Sequence, residues 1–339
     1  MKRKLIIHVG MGKTGSSSIQ KTLRVAKGAL EDQGIKYLGL MLEQLPSPKP
    51  YTWHTVSGWR DFIEMDPTQA NRELAHVFQY ANDKLPDSIH TLVWSNESLF
   101  DGFKNVRPTI EALRDYYEIH VIGYLRRPDS WISSAYLQWG IKDKSYPGPL
   151  KTFRAWAGKK PYVVSVKADV WTELADQASF FNFDKLEDVS AHFVEEVLSL
   201  AKDIAPSLRA NDTPPPAAMA FFAYHNSLYE GMVLPDKLGS LLTRAGLFNK
   251  MQESPPYNKL LPTVEDISNY VERNRPEIER VNSLLEANGQ QGFDLTEINT
   301  KDYSATPLDT NRALLQLVVY LAEEVEQLKA RMNEKEGAQ

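Results

Sequence analysis

LIIHVGMGKTGSSS, residues 5–18, runs from an apolar segment through a glycine-rich turn into three serines. Residues 4–9 read as a buried strand, and a helix is predicted over 17–33, with Ile19, Leu23, Ala26 and Leu30 at helical spacing. Between them Gly10, Gly12 and Gly15 permit a tight turn. A strand, such a turn and a helix start at Ser16, Ser17 and Ser18 place backbone N–H groups around an anion. The hydroxyls add donors and Lys13 adds a point charge. The stretch does not spell a Walker loop, G-x-x-x-x-G-K-[ST]. Gly12-Lys13-Thr14 fits its end, but Ile7 stands where the first glycine belongs. A nucleotide triphosphatase also wants an aspartate at a strand end to help hold magnesium, and HTLVWSNES, residues 90–98, has none.

Outward from this loop the pattern repeats. Strands are predicted over 35–40, 90–95 and 119–125, with helices over 68–85, 108–117 and from 128 to about 139 between and after them. This β-α-β-α-β-α-β order predicts an α/β fold, a P-loop-type parallel sheet flanked by helices. The second half reads as mostly helical: a strand over 179–183, then helices over 189–204, 217–229, 235–245, 264–287 and 308–335. The division expected is an α/β core over 1–210 and a helical extension over 211–339 packed on it, as one integrated domain. Leu314, Val318, Leu321, Val325, Leu328 and Met332 alternate spacings of four and three, a heptad seam. It covers under three heptads, so a stripe packed on the protein's own core is preferred over a coiled coil. The coiled coil would make a homo-oligomer through 308–335.

Composition narrows the function. The 339 residues are 42% hydrophobic and 24% charged, an ordinary globular balance. The formal net charge of −5 argues against a broad nucleic-acid surface. There are no cysteines, which excludes disulfides, thiolate metal sites and cysteine nucleophiles. Lys2, Arg3 and Lys4 precede an apolar run too short for a signal peptide. No stretch approaches the ~20 apolar residues of a membrane span, and a cytoplasmic protein is expected.

A second cluster, YLRRPDSWISSAY, spans residues 124–136. Arg126 and Arg127 end a predicted strand, and Ser134 lies eight residues after Arg126, two turns into the next helix. An arginine fork suits bidentate phosphate binding, and in a parallel sheet this strand end shares an edge with the first loop. Together the two motifs resemble the sulfotransferases that use 3′-phosphoadenosine 5′-phosphosulfate, above all bacterial members related to carbohydrate sulfotransferases. The resemblance covers the first ~140 residues. It implies that Gly12, Lys13, Thr14, Gly15, Ser16, Ser17 and Ser18 form the 5′-phosphosulfate loop, that Arg126 and Ser134 hold the 3′-phosphate, and that no metal takes part. Lys13 would stabilise the leaving group.

A hydroxyl acceptor needs a general base. Glu97, just after the third strand, ranks first. His54, in the loop YTWHTVSGW of residues 51–59, ranks second, having a suitable ordinary pKa. Trp53, Trp59, Trp131, Trp139 and Trp156 surround these motifs. Aromatic faces stack on sugars, although such residues more often serve packing; they hint at a carbohydrate acceptor. Two rival readings stand beside this one: a P-loop small-molecule kinase using ATP–magnesium, and an inactive sulfotransferase-like fold serving as a binding protein.

Overall fold

The computed structural model describes residues 2–209, 214–227, 229–233, 236–246 and 257–304, with 306, 311, 313, 314, 316–318, 320, 321, 324, 325, 327 and 328. In chain order the first elements are β1 (Arg3–His8), α1 (Ser16–Val25), α2 (Lys27–Asp32), β2 (Ile35–Tyr37), α3 (Trp59–Glu64), α4 (Pro67–Lys84), β3 (Thr91–Ser95), α5 (Leu99–Leu113) and β4 (Tyr117–Leu125). There follow α6 (Pro128–Ala135), α7 (Phe153–Ala157), α8 (Ser165–Leu174), β5 (Gln177–Asn182), α9 (Val189–His192), α10 (Pro216–Ser227), α11 (Asp236–Arg244), α12 (Val264–Arg273) and α13 (Arg275–Ala287).

Among the described residues five strands form one all-parallel sheet, in the order β2-β3-β1-β4-β5. The apolar run at residues 5–7 sits at its centre: Leu5 and Ile7 are fully buried, and Ile6 pairs with Val93 on one side and His120 on the other. From β1 the chain turns towards β3 and β2, and from β4 it turns the opposite way to β5. Connections that part in this manner open a crevice at the carboxyl ends of two neighbouring strands. Here those strands are β1 and β4.

The chain divides into two compact units. The first comprises residues 1–128, 162–211 and 274–296 and contains the whole sheet. The second comprises 129–161, 212–273 and 297–339 and is helical among its described residues. Thus α13, in the second half of the sequence, belongs with the sheet. Its Glu277 accepts hydrogen bonds from the N–H groups of Val164 and Ser165 at the start of α8, at 2.7 and 2.5 Å.

Several helices differ from their sequence-based outlines. The segment predicted as one helix over 17–33 breaks at Ala26 (φ −83°, ψ 6°), two residues before the poor helix former Gly28. The helix predicted to open at Pro108 is preceded by helical residues from Leu99 on, kinked at Gly102 (φ −90°, ψ 17°); Leu99, Phe100 and Val106 supply buried apolar surface, and Pro108 lies inside the span. The 189–204 segment is α-helical only through His192, widens to a π-turn over Phe193–Val197, and meets Ser199 at φ 55°. The 264–287 segment splits at Asn274, where Pro276 removes an N–H that a continuous helix would use.

The heptad stripe is also corrected. Leu314, Val318, Leu321, Val325 and Leu328 are each 43–60% exposed, so they do not pack on the protein's own core. The inward face is instead that of buried Ala313 and half-buried Leu317 and Tyr320. The rest of the predicted 308–335 helix, Met332 included, lies outside the described residues.

Candidate functional site

The loop after β1 is built by two residues in the left-handed region, Lys13 (φ 74°) and Gly15 (φ 80°). For lysine that conformation is uncommon and costs energy, a cost typical of functional loops. Gly15 is required twice over: besides its φ, a Cβ there would lie 2.5 Å from Cγ1 of Val189. Gly10 is required by closeness, since its Cβ would meet Oγ of Ser16 at 2.5 Å and Oγ1 of Thr14 at 3.3 Å. The helix that follows makes its first bonds from the N–H groups of Ser18 and Ile19 to the Gly15 carbonyl. Those of Ser16 and Ser17 precede that ladder and belong to the anion-seeking turn.

The hydroxyls are not equivalent. Thr14 is fully buried and donates to the Met11 carbonyl at 2.7 Å, so its hydroxyl shapes the loop. Ser16 is 5% exposed and its Oγ has no hydrogen-bond partner. A buried hydroxyl in that state costs about 1–3 kcal/mol, and an anion in the turn would accept its proton. Ser17 and Ser18 are half-buried on the same first turn of α1. Gly12 and Lys13 are likewise half-buried.

Arg126, the residue after β4, joins this loop directly. Its Nη1 donates to the Lys13 carbonyl at 2.8 Å, and its guanidinium lies 5.4 Å from the centre of the Phe183 ring, just past β5. Its backbone is held as well: the Arg126 N–H reaches Sδ of Met11 at 3.3 Å, and the Tyr162 hydroxyl donates to the Arg126 carbonyl at 2.7 Å. Arg127 is anchored by its N–H donating to Asp184 at 2.7 Å. The crevice between β1 and β4 therefore gathers Lys13, Ser16 and Arg126. Ser134 is half-buried in α6 and falls in the second unit.

Glu97 sits one residue past Asn96 at the carboxyl end of β3. Nε2 of Gln20, a buried residue of α1, donates to its Oε2 at 2.7 Å and to the Ser95 carbonyl at 3.3 Å. The helix that opens on the glycine-rich loop thus also holds the candidate base. Gln20, Met11 and Tyr162 escaped the sequence reading. Only Gln20 left a trace there, as a polar residue on the helix face shared with Ile19 and Leu23.

His54 is tied to the neighbouring loop. Its Nε2 donates to the Leu42 carbonyl at 2.6 Å, and its ring meets Trp53 edge-on at 5.5 Å. The loop before it is bound in turn to the end of β3, because Asn96 Nδ2 donates to the Leu40 carbonyl at 2.9 Å. Of the five tryptophans near these motifs, Trp53 and Trp156 are buried. Trp53 stacks on Tyr51 and gives its indole N–H to Glu73 at 2.9 Å, and Trp156 lies 5.6 Å from the Tyr136 ring, so both serve packing. Trp59, Trp131 and Trp139 are half-buried.

His8, at the end of β1, is completely buried, and burial pushes its imidazole down to about 3. Its Nδ1 meets Oγ of Ser95, its register partner on β3, at 2.7 Å. It is thus a neutral back wall to the loop. No protein-family model and no curated protein matches the sequence.

Proposed function

We propose that this protein is a sulfotransferase that uses 3′-phosphoadenosine 5′-phosphosulfate and sulfates a hydroxyl or amine acceptor, with a carbohydrate the favoured class. The observation that carries the reading is the Arg126–Lys13 hydrogen bond, which joins the arginine of the second motif to the loop of the first, 113 residues away in the chain. The orphaned Ser16 hydroxyl in the same turn supports a phosphate there.

The bound donor supplies an activated sulfuryl group, whose S–O bond to the 5′-phosphate breaks as the acceptor oxygen bonds to sulfur. Around it the chain contributes positioning and charge. The N–H groups of Ser16 and Ser17 and the Ser16 hydroxyl hold the 5′-phosphate. Lys13 neutralises the negative charge that grows on the departing phosphate oxygen. Arg126 binds the 3′-phosphate and so favours this donor over ATP. Glu97 takes the acceptor proton: Gln20 holds its Oε2, which leaves Oε1 to face the acceptor. His54, with Nε2 committed to Leu42, offers Nδ1 to the acceptor as a hydrogen-bond acceptor.

Transfer of radiolabelled sulfate from the donor to a panel of sugars, alcohols and amines tests this. Glu97→Gln is expected to lower turnover by about 10²–10⁴-fold, the usual worth of a general base, with donor binding unchanged. Wild type that binds the donor yet transfers to no member of the panel, glycans included, would favour the inactive binding protein.

A further inference from the structure

We propose that the helical face carried by the described residues between 311 and 328 is the contact surface for a second copy of this chain, paired as a parallel two-stranded coiled coil. Five large apolar side chains on that helix, Leu314, Val318, Leu321, Val325 and Leu328, face water at 43–60% exposure. Isolated exposed apolar residues need no explanation, but a continuous stripe of them marks an interaction surface. They are not scattered. The spacings are four, three, four and three, which is the 3.5-residue period of a supercoiled pair.

The side-chain types select the partner. With leucine at d, the stripe reads Leu314, Leu321 and Leu328 at d and Val318 and Val325 at a. β-Branched residues at a with leucine at d favour two parallel strands over three or four. Asn311 occupies the preceding a position and is exposed. A single polar residue at a fixes register and strand number.

The flanking charges agree with a copy of the same sequence. In a parallel pair each g residue faces the e residue five positions later on its partner. In the heptad lettering of the sequence the g and e positions so related are Glu324 with Lys329 and Arg331 with Glu336, opposite signs both times. A partner of unrelated sequence would have no reason to match this order. The inward face of the helix, through Ala313, is already used by the chain itself, so pairing requires no refolding. This inference rests on no property of the anion loop.

Sedimentation equilibrium on the full chain reads the outcome. Twice the 38.5 kDa chain mass is expected. The double variant Val318→Lys, Val325→Lys is expected to sediment at the single-chain mass and still to melt cooperatively, at a lower temperature than wild type, because loss of the partner removes the stability that pairing adds. The absence of native cysteines gives a direct test of orientation. Leu314→Cys and Leu328→Cys, each alone, are expected to oxidise to disulfide-linked dimers, because identical positions adjoin in a parallel pair. A single-chain mass for wild type at every concentration would overturn the proposal. So would a mass indifferent to the double lysine variant, or cross-links that form only when the two cysteine variants are mixed, the antiparallel result.

Discussion

Gly15 shows how closely the loop is determined. Its φ of 80° is one that residues with a side chain adopt rarely and at a cost, and Val189 fills the space a Cβ would need. Gly15→Ala is expected to destabilise the protein by at least ~1 kcal/mol from backbone strain alone. It should weaken nucleotide binding as the Ser16 and Ser17 N–H groups turn away, read by a thermal melt beside a binding titration. His8 makes a separate prediction. Unfolded, its imidazole titrates near 6.5; folded, burial holds it at about 3. Between those values the unfolded chain binds the extra proton. The stability it contributes is therefore complete above pH 6.5 and falls as the pH drops towards 3, by up to about 1.4 kcal/mol per pH unit. His8→Asn should flatten that part of the stability profile, measured by urea unfolding at pH 7 and pH 5. A slope identical to wild type would show that His8 is protonated in the fold. At this scale Lys13 and Arg126 were legible because glycines, basic residues and serines lie beside them in the chain. Gln20 and Tyr162 were not, because their roles arise only from contacts 77 and 36 residues away.

Helix α8 begins at Val164, which supplies no side-chain cap. Glu277 of α13 serves instead, buried against the N–H groups of Val164 and Ser165 and the Ser165 hydroxyl. Burial by itself would raise its pKa. The Ser165 N–H, Arg280, the Ser165 hydroxyl and the Val164 N–H outweigh burial and hold it below the ordinary glutamate value. The stability so gained is present above about pH 4.5 and is lost as the pH falls through the depressed value. Glu277→Gln keeps the shape and removes the charge, and should cost about 2 kcal/mol at pH 7, with much less difference in strong acid; chemical denaturation at both pH values measures it. The strands were readable to within two or three residues, since a short buried β-run has little freedom in where it stops. Helix interruptions at Ala26 and Asn274 were not, because the periodicity of apolar residues continues across both. The exposed heptads were misjudged for a related reason: spacing reveals a stripe and says nothing of what covers it.

Taken whole, the molecule carries a formal charge of −5, yet one crevice of its sheet gathers Lys13 and Arg126. The parallel order β2-β3-β1-β4-β5 makes this possible, because it turns the connections after β1 and β4 in opposite directions. A parallel sheet follows from alternating strands and helices in the sequence; this strand order does not. The division into two interleaved units does not, since residues 274–296 rejoin the sheet through contacts of α13 that no local pattern announces. Among the described residues no helix is long and apolar enough to cross a membrane. The most direct measurement is a calorimetric titration with 3′-phosphoadenosine 5′-phosphate, ADP and ATP–magnesium, on wild type and on Arg126→Ala. The 3′-phosphorylated nucleotide should bind wild type most tightly, and the variant should bind it about thirtyfold more weakly, the equivalent of ~2 kcal/mol for a charge-assisted bond, with a much smaller loss for ADP. Tight binding of ATP–magnesium, with indifference both to the 3′-phosphate and to Arg126, would contradict the sulfotransferase assignment and point to a kinase.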